Sequence, residues 1–225
     1  MNINLLKQFI DYTLTTNIDN TYHLTRYYMY NSLKNTLIDY DATDKKCLSI
    51  SHSNKLCNIL GLNKCTIIES NYPQDNILNL KHYQNFDFCI SDQVLEHVEG
   101  DPFVAFQSSV DVLKPGGIVC HTTCFLNEIH DQASMTLEPE KSKDYWRFSI
   151  KALELLAIQS DCNILCSHSW GNKDARFLID NGYRFAKIPD DINHPMNKIA
   201  VDNDLRFPIH TWIVAQKNLK EPESE

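Results

Sequence analysis

Between residues 46 and 217, short apolar segments with strand character alternate with stretches of helical period. No other feature constrains the fold as much. A strand–helix–strand order closes into a mostly parallel sheet with helices on both faces. The strand candidates are Lys46–Ser51, Cys65–Glu69, Asn76–Leu80, Phe86–Ser91, Gly117–Cys124, Asn163–Ser167 and Pro208–Lys217. Between them, Asn54–Leu60 reads as a helix stopped by Gly61, and Lys173–Asn181 as one closed by Gly182. Pro102–Leu113 carries Phe103, Phe106, Val110 and Leu113 on one helical face and meets a stop at Pro115-Gly116-Gly117. Ser149 is placed to cap a helix running to Gln159. Upstream, Leu5, Leu6, Phe9 and Ile10, then Tyr30, Leu33, Leu37 and Ile38, have helical spacing, with a break at Asn17–Asn20. The organisation expected is a helical cap over 1–42, an α/β domain over 43–217 and a charged, disordered tail over 218–225.

Hydrophobic residues make up 43% of the 225, enough for a sizeable core, which excludes a wholly disordered chain. The 21 Lys and Arg against 29 Asp and Glu give a formal charge of −8, a poor basis for general nucleic-acid binding. No apolar run is long enough to cross a bilayer. Met1–Asp11 mixes Lys7 and Gln8 into its apolar residues, unlike a signal peptide, so a cytoplasmic location is expected. The 8 cysteines contain no Cys-x-x-Cys pair. Cys120/Cys124 and Cys162/Cys166 are four apart in strand segments, which separates them by roughly 13 Å. Neither pair can share a metal or form a disulfide, so free thiols and metal-independent chemistry are expected.

Parallel sheets bind ligands outside the carboxyl ends of their strands. Ser51-His52-Ser53-Asn54 follows the first strand, and Glu69 closes the second, 20 residues beyond Ser49. An acid there can accept hydrogen bonds from both hydroxyls of a nucleoside ribose. The alternative is an ordinary solvated glutamate. The string Phe86-Asp-Phe-Cys-Ile-Ser-Asp-Gln-Val-Leu-Glu-His-Val98, followed by Val112-Leu-Lys-Pro-Gly-Gly-Ile118, resembles the motifs around two adjacent strands of class I S-adenosylmethionine-dependent methyltransferases. The resemblance implies a Rossmann-like three-layer sandwich. Its seven-stranded sheet is mostly parallel, with an antiparallel last strand, here Pro208–Lys217. It also implies S-adenosyl-L-methionine as cofactor. On that basis Glu69 holds the ribose, Ser70 and Asn71 border the adenine, and Asp92 and Gln93 lie under the methionine and sulfonium end. His97, one helical turn past Gln93, faces the site or serves the structure. Lys114–Gly117 reads as a turn.

The chain departs from that family at the loop after the first strand. Where two glycines and an acid are usual, it has Ser49-Ile50-Ser51-His52-Ser53. A side chain held at positive φ costs roughly 1–2 kcal/mol. Either Ser49, Ser51 and Ser53 hold the methionine end with hydroxyls and backbone N–H groups, or the pocket is narrowed and the cofactor lost. The missing glycines also argue against a nicotinamide dinucleotide, whose pyrophosphate needs them.

A second constellation comprises Phe125-Leu-Asn-Glu-Ile-His-Asp131 and Asp144-Tyr-Trp-Arg-Phe-Ser149. The second string is similar to a subgroup of these methyltransferases found with glycan and polysaccharide biosynthesis. The resemblance implies His130 and Asp131 as a catalytic pair, with Asp131 orienting His130 or acting as the base itself, and Tyr145, Trp146 and Arg147 on the sugar. The alternatives are Trp146 and Phe148 as core anchors, Arg147 paired with Asp144, and His130 as a surface residue. Arg26, in Tyr22–Tyr27, reaches the cofactor carboxylate or belongs to a simple covering helix. The function expected is O-methylation of a sugar hydroxyl on a glycan or glycan precursor, with a homodimer allowed and no nucleic-acid partner. The alternatives are an inactive relative kept as a binding or scaffold protein, and a methyltransferase for another small metabolite or lipid.

Overall fold

The computed structural model describes residues 2–15, 24–34, 36–130, 143–183, 188–189 and 191–219. Six strands form one sheet: β1 Lys46–Ile50, β2 Thr66–Ser70, β3 Phe86–Asp92, β4 Leu113–Cys124, β5 Cys162–Trp170 and β6 His210–Lys217. Their order is β2-β1-β3-β4-β6-β5. β1 pairs in parallel with β2 and β3, and β3 with β4, whereas β6 runs antiparallel to both β4 and β5. The antiparallel last strand is therefore as expected.

The expected seventh strand, Asn76–Leu80, does not form. Ile77 and Leu80 are buried but stand three apart, which is not the alternation of a strand. The backbone closes on itself. Asn79 N donates to Asn76 O at 2.8 Å, Leu78 N to Asn76 Oδ1 at 2.9 Å, and Leu80 N to Ser108 Oγ at 3.0 Å. An asparagine side chain that takes a neighbouring backbone N–H competes directly with a sheet ladder.

The helices are α1 Ile3–Thr15, α2 Leu24–Leu33, α3 Asn54–Leu60, α4 Pro102–Asp111, α5 Ile150–Gln159, α6 Lys173–Asp180 and α7 Pro195–Val201. Gly61 ends α3 at φ +95°, and Ser149 caps α5 by accepting from Ala152 N. α7 lies in a stretch read from sequence as irregular. Its signal is Pro195 at the first helical position, where the missing N–H costs nothing. Side chains alternate across the sheet with a period of two. Cys47, Phe88, Ile90, Cys120 and Val214 enter one core with α1, α2, α3, α6 and α7. Leu48, Ile50, Cys89, Val119 and Ile213 enter the other with α4 and α5. The three layers follow from that alternation. Lys114–Gly117 bulges out of register, since Leu113 faces Phe86 but Ile118 faces Phe88. All eight cysteines are free thiols, and Cys47 Sγ sits 3.6 Å from Cys57 Sγ.

His121 on β4 is fully buried, its ring 4.8 Å from that of Phe106 and its Nδ1 2.5 Å from Ser91 Oγ. Burial pushes its pKa down from 6.5 to about 3. The unfolded chain therefore takes up this proton as pH falls through 6.5, while the native state takes it only near 3. Stability falls with acid in that window, by up to about 1.4 kcal/mol per pH unit from this group. Glu96, which burial pushes above 4.5, acts in the opposite direction just above that value. Comparison of the wild type with His121→Gln isolates the histidine. Between pH 6.5 and 4 the melting temperature of the variant should fall less steeply. Parallel slopes would remove the assignment.

Candidate functional site

Two adjoining regions lie at the carboxyl ends of the parallel strands. In the first, the chain leaves β1 with Ser51 at φ +48° and His52 at φ +63°, a left-handed conformation usually given to glycine. The strain is held by close bonding. Ser51 N donates to Ser70 O at 2.8 Å. Ser53 Oγ donates to Ile50 O at 2.5 Å and accepts from Asp92 N at 2.8 Å. Ser53 therefore ties β1 to β3, and Ser49 is buried inside β1. Of the three serines expected at the ligand, Ser51 lines the adjoining cleft. That cleft has a volume of about 390 Å³ and is lined by Ser51, Tyr72, Ile77, Gln93, His97 and Tyr145, among others. The volume falls in the range of small-molecule sites.

Glu69 stands at the end of β2. Its Oε2 accepts from Asn54 Nδ2 at 3.0 Å, and its Oε1 lies 2.7 Å from His52 Nδ1 without an aligned donor. Ser49 Oγ, Asn54 Oδ1, Ser70 Oγ and Asn71 Oδ1 are also buried without hydrogen-bond partners among the described residues. Native proteins leave few such atoms, and here five of them belong to residues in or next to β1 and β2.

Asp92, at the end of β3, is fully engaged. Its Oδ2 accepts from Arg26 at 2.8 Å and from the Tyr30 hydroxyl at 2.6 Å, and its Oδ1 accepts from Thr122 Oγ1 at 2.6 Å. Arg26 and Tyr30 both project from α2, so this helix is pinned over the end of the central strand. Burial and the neighbouring Asp92 carboxylate push the Tyr30 phenol far above its ordinary range. Gln93 follows at φ +60° and turns its amide downward, donating to Glu96 Oε1 at 3.2 Å and to His210 Nδ1 at 3.1 Å.

The second region is built on the 3-10 turn Leu95–His97. Glu96 O accepts from Tyr145 N at 2.8 Å and from Trp146 N at 3.1 Å, which docks the 143–148 segment on this turn. His97 Nδ1 bonds to Lys143 O at 2.6 Å, and Trp146 Nε1 donates to Val98 O at 2.9 Å. Phe148 is buried and anchors the segment, while Tyr145 and Trp146 remain about two-fifths exposed. Arg147 grips Asp144 with both arms and also donates to Glu128 O and Trp146 O. Its donors are thus engaged within the loop. The Asp144 side chain has no exposed surface. Burial raises the pKa of Asp144, but the Arg147 bonds and the His130 backbone N–H outweigh it and hold the carboxyl below its usual range.

His130 Nδ1 lies 3.2 Å from Asp144 Oδ2, and its ring stands perpendicular to that of His97 at 4.9 Å between centroids. The orienting carboxylate for His130 is therefore Asp144. Asp131, expected in that role, lies outside the described residues. Sequence reasoning also missed Glu96, whose carboxyl is fully buried with Oε2 accepting from Thr123 Oγ1 at 2.9 Å. A signal for each was present, in the Leu-Glu-His turn and in the acid that opens the Asp144–Ser149 string.

Residues 26–121, under half of the chain, match the family model described as a methyltransferase domain. No curated protein matches. Among solved structures, the [4+2]-cyclase SpnF is 13% identical with a TM-score of 0.50, covering 85% of this chain and 81% of that one. A chain of the Haloferax volcanii complex between the Trm112 methyltransferase activator and its candidate methyltransferase is 11% identical with a TM-score of 0.52. It covers 88% of this chain and 92% of that one. At these identities the likeness is one of fold.

Proposed function

We propose that this S-adenosylmethionine-dependent methyltransferase transfers its methyl group to a hydroxyl of a sugar or glycan precursor. The observation that carries the reading is the wall of the cleft. The part-exposed ring of Tyr145 and the imidazole of His97 line it, and the imidazole of His130 stands perpendicular to that of His97. Flat amphipathic rings suit the faces of a sugar, and imidazoles suit the handling of a hydroxyl proton.

The cofactor, when bound, supplies an electrophilic methyl on a sulfonium. The residues at the end of β2 fit it. Glu69 Oε1 lacks an aligned donor and would receive one from the ribose diol, with Ser70 and Asn71 beside the adenine. Gln93 and Asp92 would border the methionine end. Arg26, now on Asp92, would turn to the methionine carboxylate, so that the helices of residues 1–42 act as a cap. The chain's own contribution to the reaction is alignment of hydroxyl and methyl and exclusion of water.

The test is methyl transfer from labelled S-adenosylmethionine to a panel of nucleotide sugars, oligosaccharides, phospholipids and small non-sugar metabolites. Label is expected in a sugar. Transfer confined to a lipid or a non-sugar metabolite would end the proposal. Tyr145→Ala should raise KM for the acceptor by about tenfold, the loss of one aromatic stacking contact, with little change in kcat.

A further inference from the structure

We infer that His97, rather than His130, is the general base that takes the proton of the acceptor hydroxyl. The role rests on the hydroxyl acceptor proposed above; the state of the imidazole ring does not.

The cleft itself narrows the choice. Its lining includes five side chains that titrate: Asp75, His97, Glu99, Lys143 and Tyr145. Asp75 is spent on its own loop. Its Oδ2 accepts from Asn71 N at 3.2 Å and from the Tyr83 hydroxyl at 3.1 Å, and its Oδ1 lies 2.8 Å from His82 Nε2. Glu99, Lys143 and Tyr145 engage one another. Glu99 Oε2 lies 3.8 Å from Lys143 Nζ, the Tyr145 hydroxyl bonds to Glu99, and the Glu99 side chain is 69% exposed. A solvated carboxylate beside a cation is a poor proton acceptor. His97 is left.

Its wiring fits the task. His97 closes the 3-10 turn Leu95–His97 and is partly exposed. Its Nδ1 lies 2.6 Å from Lys143 O. A carbonyl oxygen only accepts, so Nδ1 carries the ring proton and donates it there. In the neutral ring Nε2 therefore holds the lone pair. Among the described residues nothing bonds to Nε2. Gln93, which would border the methionine end, lines the same cleft, so base and methyl donor share one cavity.

His130 is wired in the same way but stands elsewhere. Its Nδ1 lies 3.2 Å from both Glu128 O and Asp144 Oδ2. The cleft is lined by His97 and not by His130, whose ring stands perpendicular to that of His97 at 4.9 Å between centroids. Asp144 and Arg147 thus hold a ring that packs on the base.

In the reaction His97 Nε2 accepts the hydroxyl proton. The oxygen forms a bond to the methyl carbon, and the carbon–sulfur electron pair returns to sulfur as a thioether. The positive charge of the sulfonium ends on the imidazolium, which then yields its proton to water.

Two measurements on the full chain decide the assignment. Long-range proton–nitrogen NMR spectra of the wild type, with neither cofactor nor acceptor, read which ring nitrogen carries the proton. His97 Nε2 is expected as the bare nitrogen, and a proton on Nε2 in the neutral ring would overturn the base. This spectrum keeps the test valid even where a His97 variant misfolds. The second measurement is methyl transfer from labelled S-adenosylmethionine to the panel named above. His97→Gln, whose amide can still donate to Lys143 O, should lower kcat about 100- to 10,000-fold. Its calorimetric affinity for S-adenosylmethionine should stay within about threefold of the wild type. Added imidazoles should restore rate to His97→Gly in the order of their basicity, which a merely structural loss would not show. A kcat for His97→Gln within about tenfold of the wild type, or a larger loss in His130→Gln, would overturn the base and leave the proposed function standing. Label in a non-sugar hydroxyl compound, lost in His97→Gln, would keep the base and reject the sugar. Label in no member of the panel would end the proposed function and the role of His97 with it.

Discussion

Glu69→Ala should weaken S-adenosylmethionine binding by roughly 30- to 150-fold, about 2–3 kcal/mol, with the fold intact. The size follows from two hydrogen bonds between ribose hydroxyls and a carboxylate, each stronger than a neutral pair. It is set below their full sum because Asn54 at 3.0 Å and His52 at 2.7 Å already occupy part of the carboxylate in the free protein. Glu69→Gln keeps one acceptor and should lose about tenfold. The Glu69 side chain is partly solvated and its neighbours can rehydrate, so the melting temperature should hardly move. Calorimetric titration of both variants, with thermal melts as control, decides the matter. An affinity for Glu69→Ala within about threefold of the wild type would take the ribose away from this residue.

Gly171→Ala should be the most damaging conservative change in the chain, costing more than about 3 kcal/mol or preventing folding. A Cβ at Gly171 would stand 2.0 Å from Phe207 O and 2.5 Å from Ile209 N. Neither neighbour can retreat. Ile209 N donates to Trp170 O at 2.7 Å, Asp204 N donates to Gly171 O at 2.7 Å, and Gly171 N donates to Asn203 Oδ1 at 3.1 Å. The crowding is backbone against backbone at the point where β5 and β6 begin their pairing, between Trp170 and His210. Urea denaturation measures it. A loss below about 1 kcal/mol would mean that this junction yields more easily than its hydrogen bonds suggest.

Most of the sheet was legible because strand period, helix caps and glycine stops are local signals. Gly61, Ser149 and Gly182 end or begin helices where the pattern places them. The failure at Asn76–Leu80 has a local cause too. The apolar residues there invite a strand, but the buried pair is three apart and Asn76 spends its side chain on the backbone. Positive φ at the loop after β1 was readable from its position alone, as Ser51 and His52 adopt what glycines would have given freely. That Ser53 would be consumed in joining β1 to β3 was not readable, because its acceptor and donor lie on different strands.

The candidate site was legible in its parts and not in its pairings. Glu69, Gln93, His97, His130 and Tyr145 could each be picked out by residue type and position. Arg26 with Asp92, Thr123 with Glu96 and Asp144 with His130 join residues 66, 27 and 14 apart in the chain. Such contacts depend on how layers stack, which no local pattern encodes.

The carbonyl of Glu96 holds Tyr145 and Trp146, while the carboxyl of the same residue lies near His130. One amino acid therefore ties the docked aromatic segment to the imidazole beside it. On the function proposed above, a shift of that carboxyl would pass, through a single peptide unit, to the aromatic ring that meets the acceptor. Evolution or engineering that broadened acceptor choice at Tyr145 would then disturb reactivity as well, and the two properties should drift together.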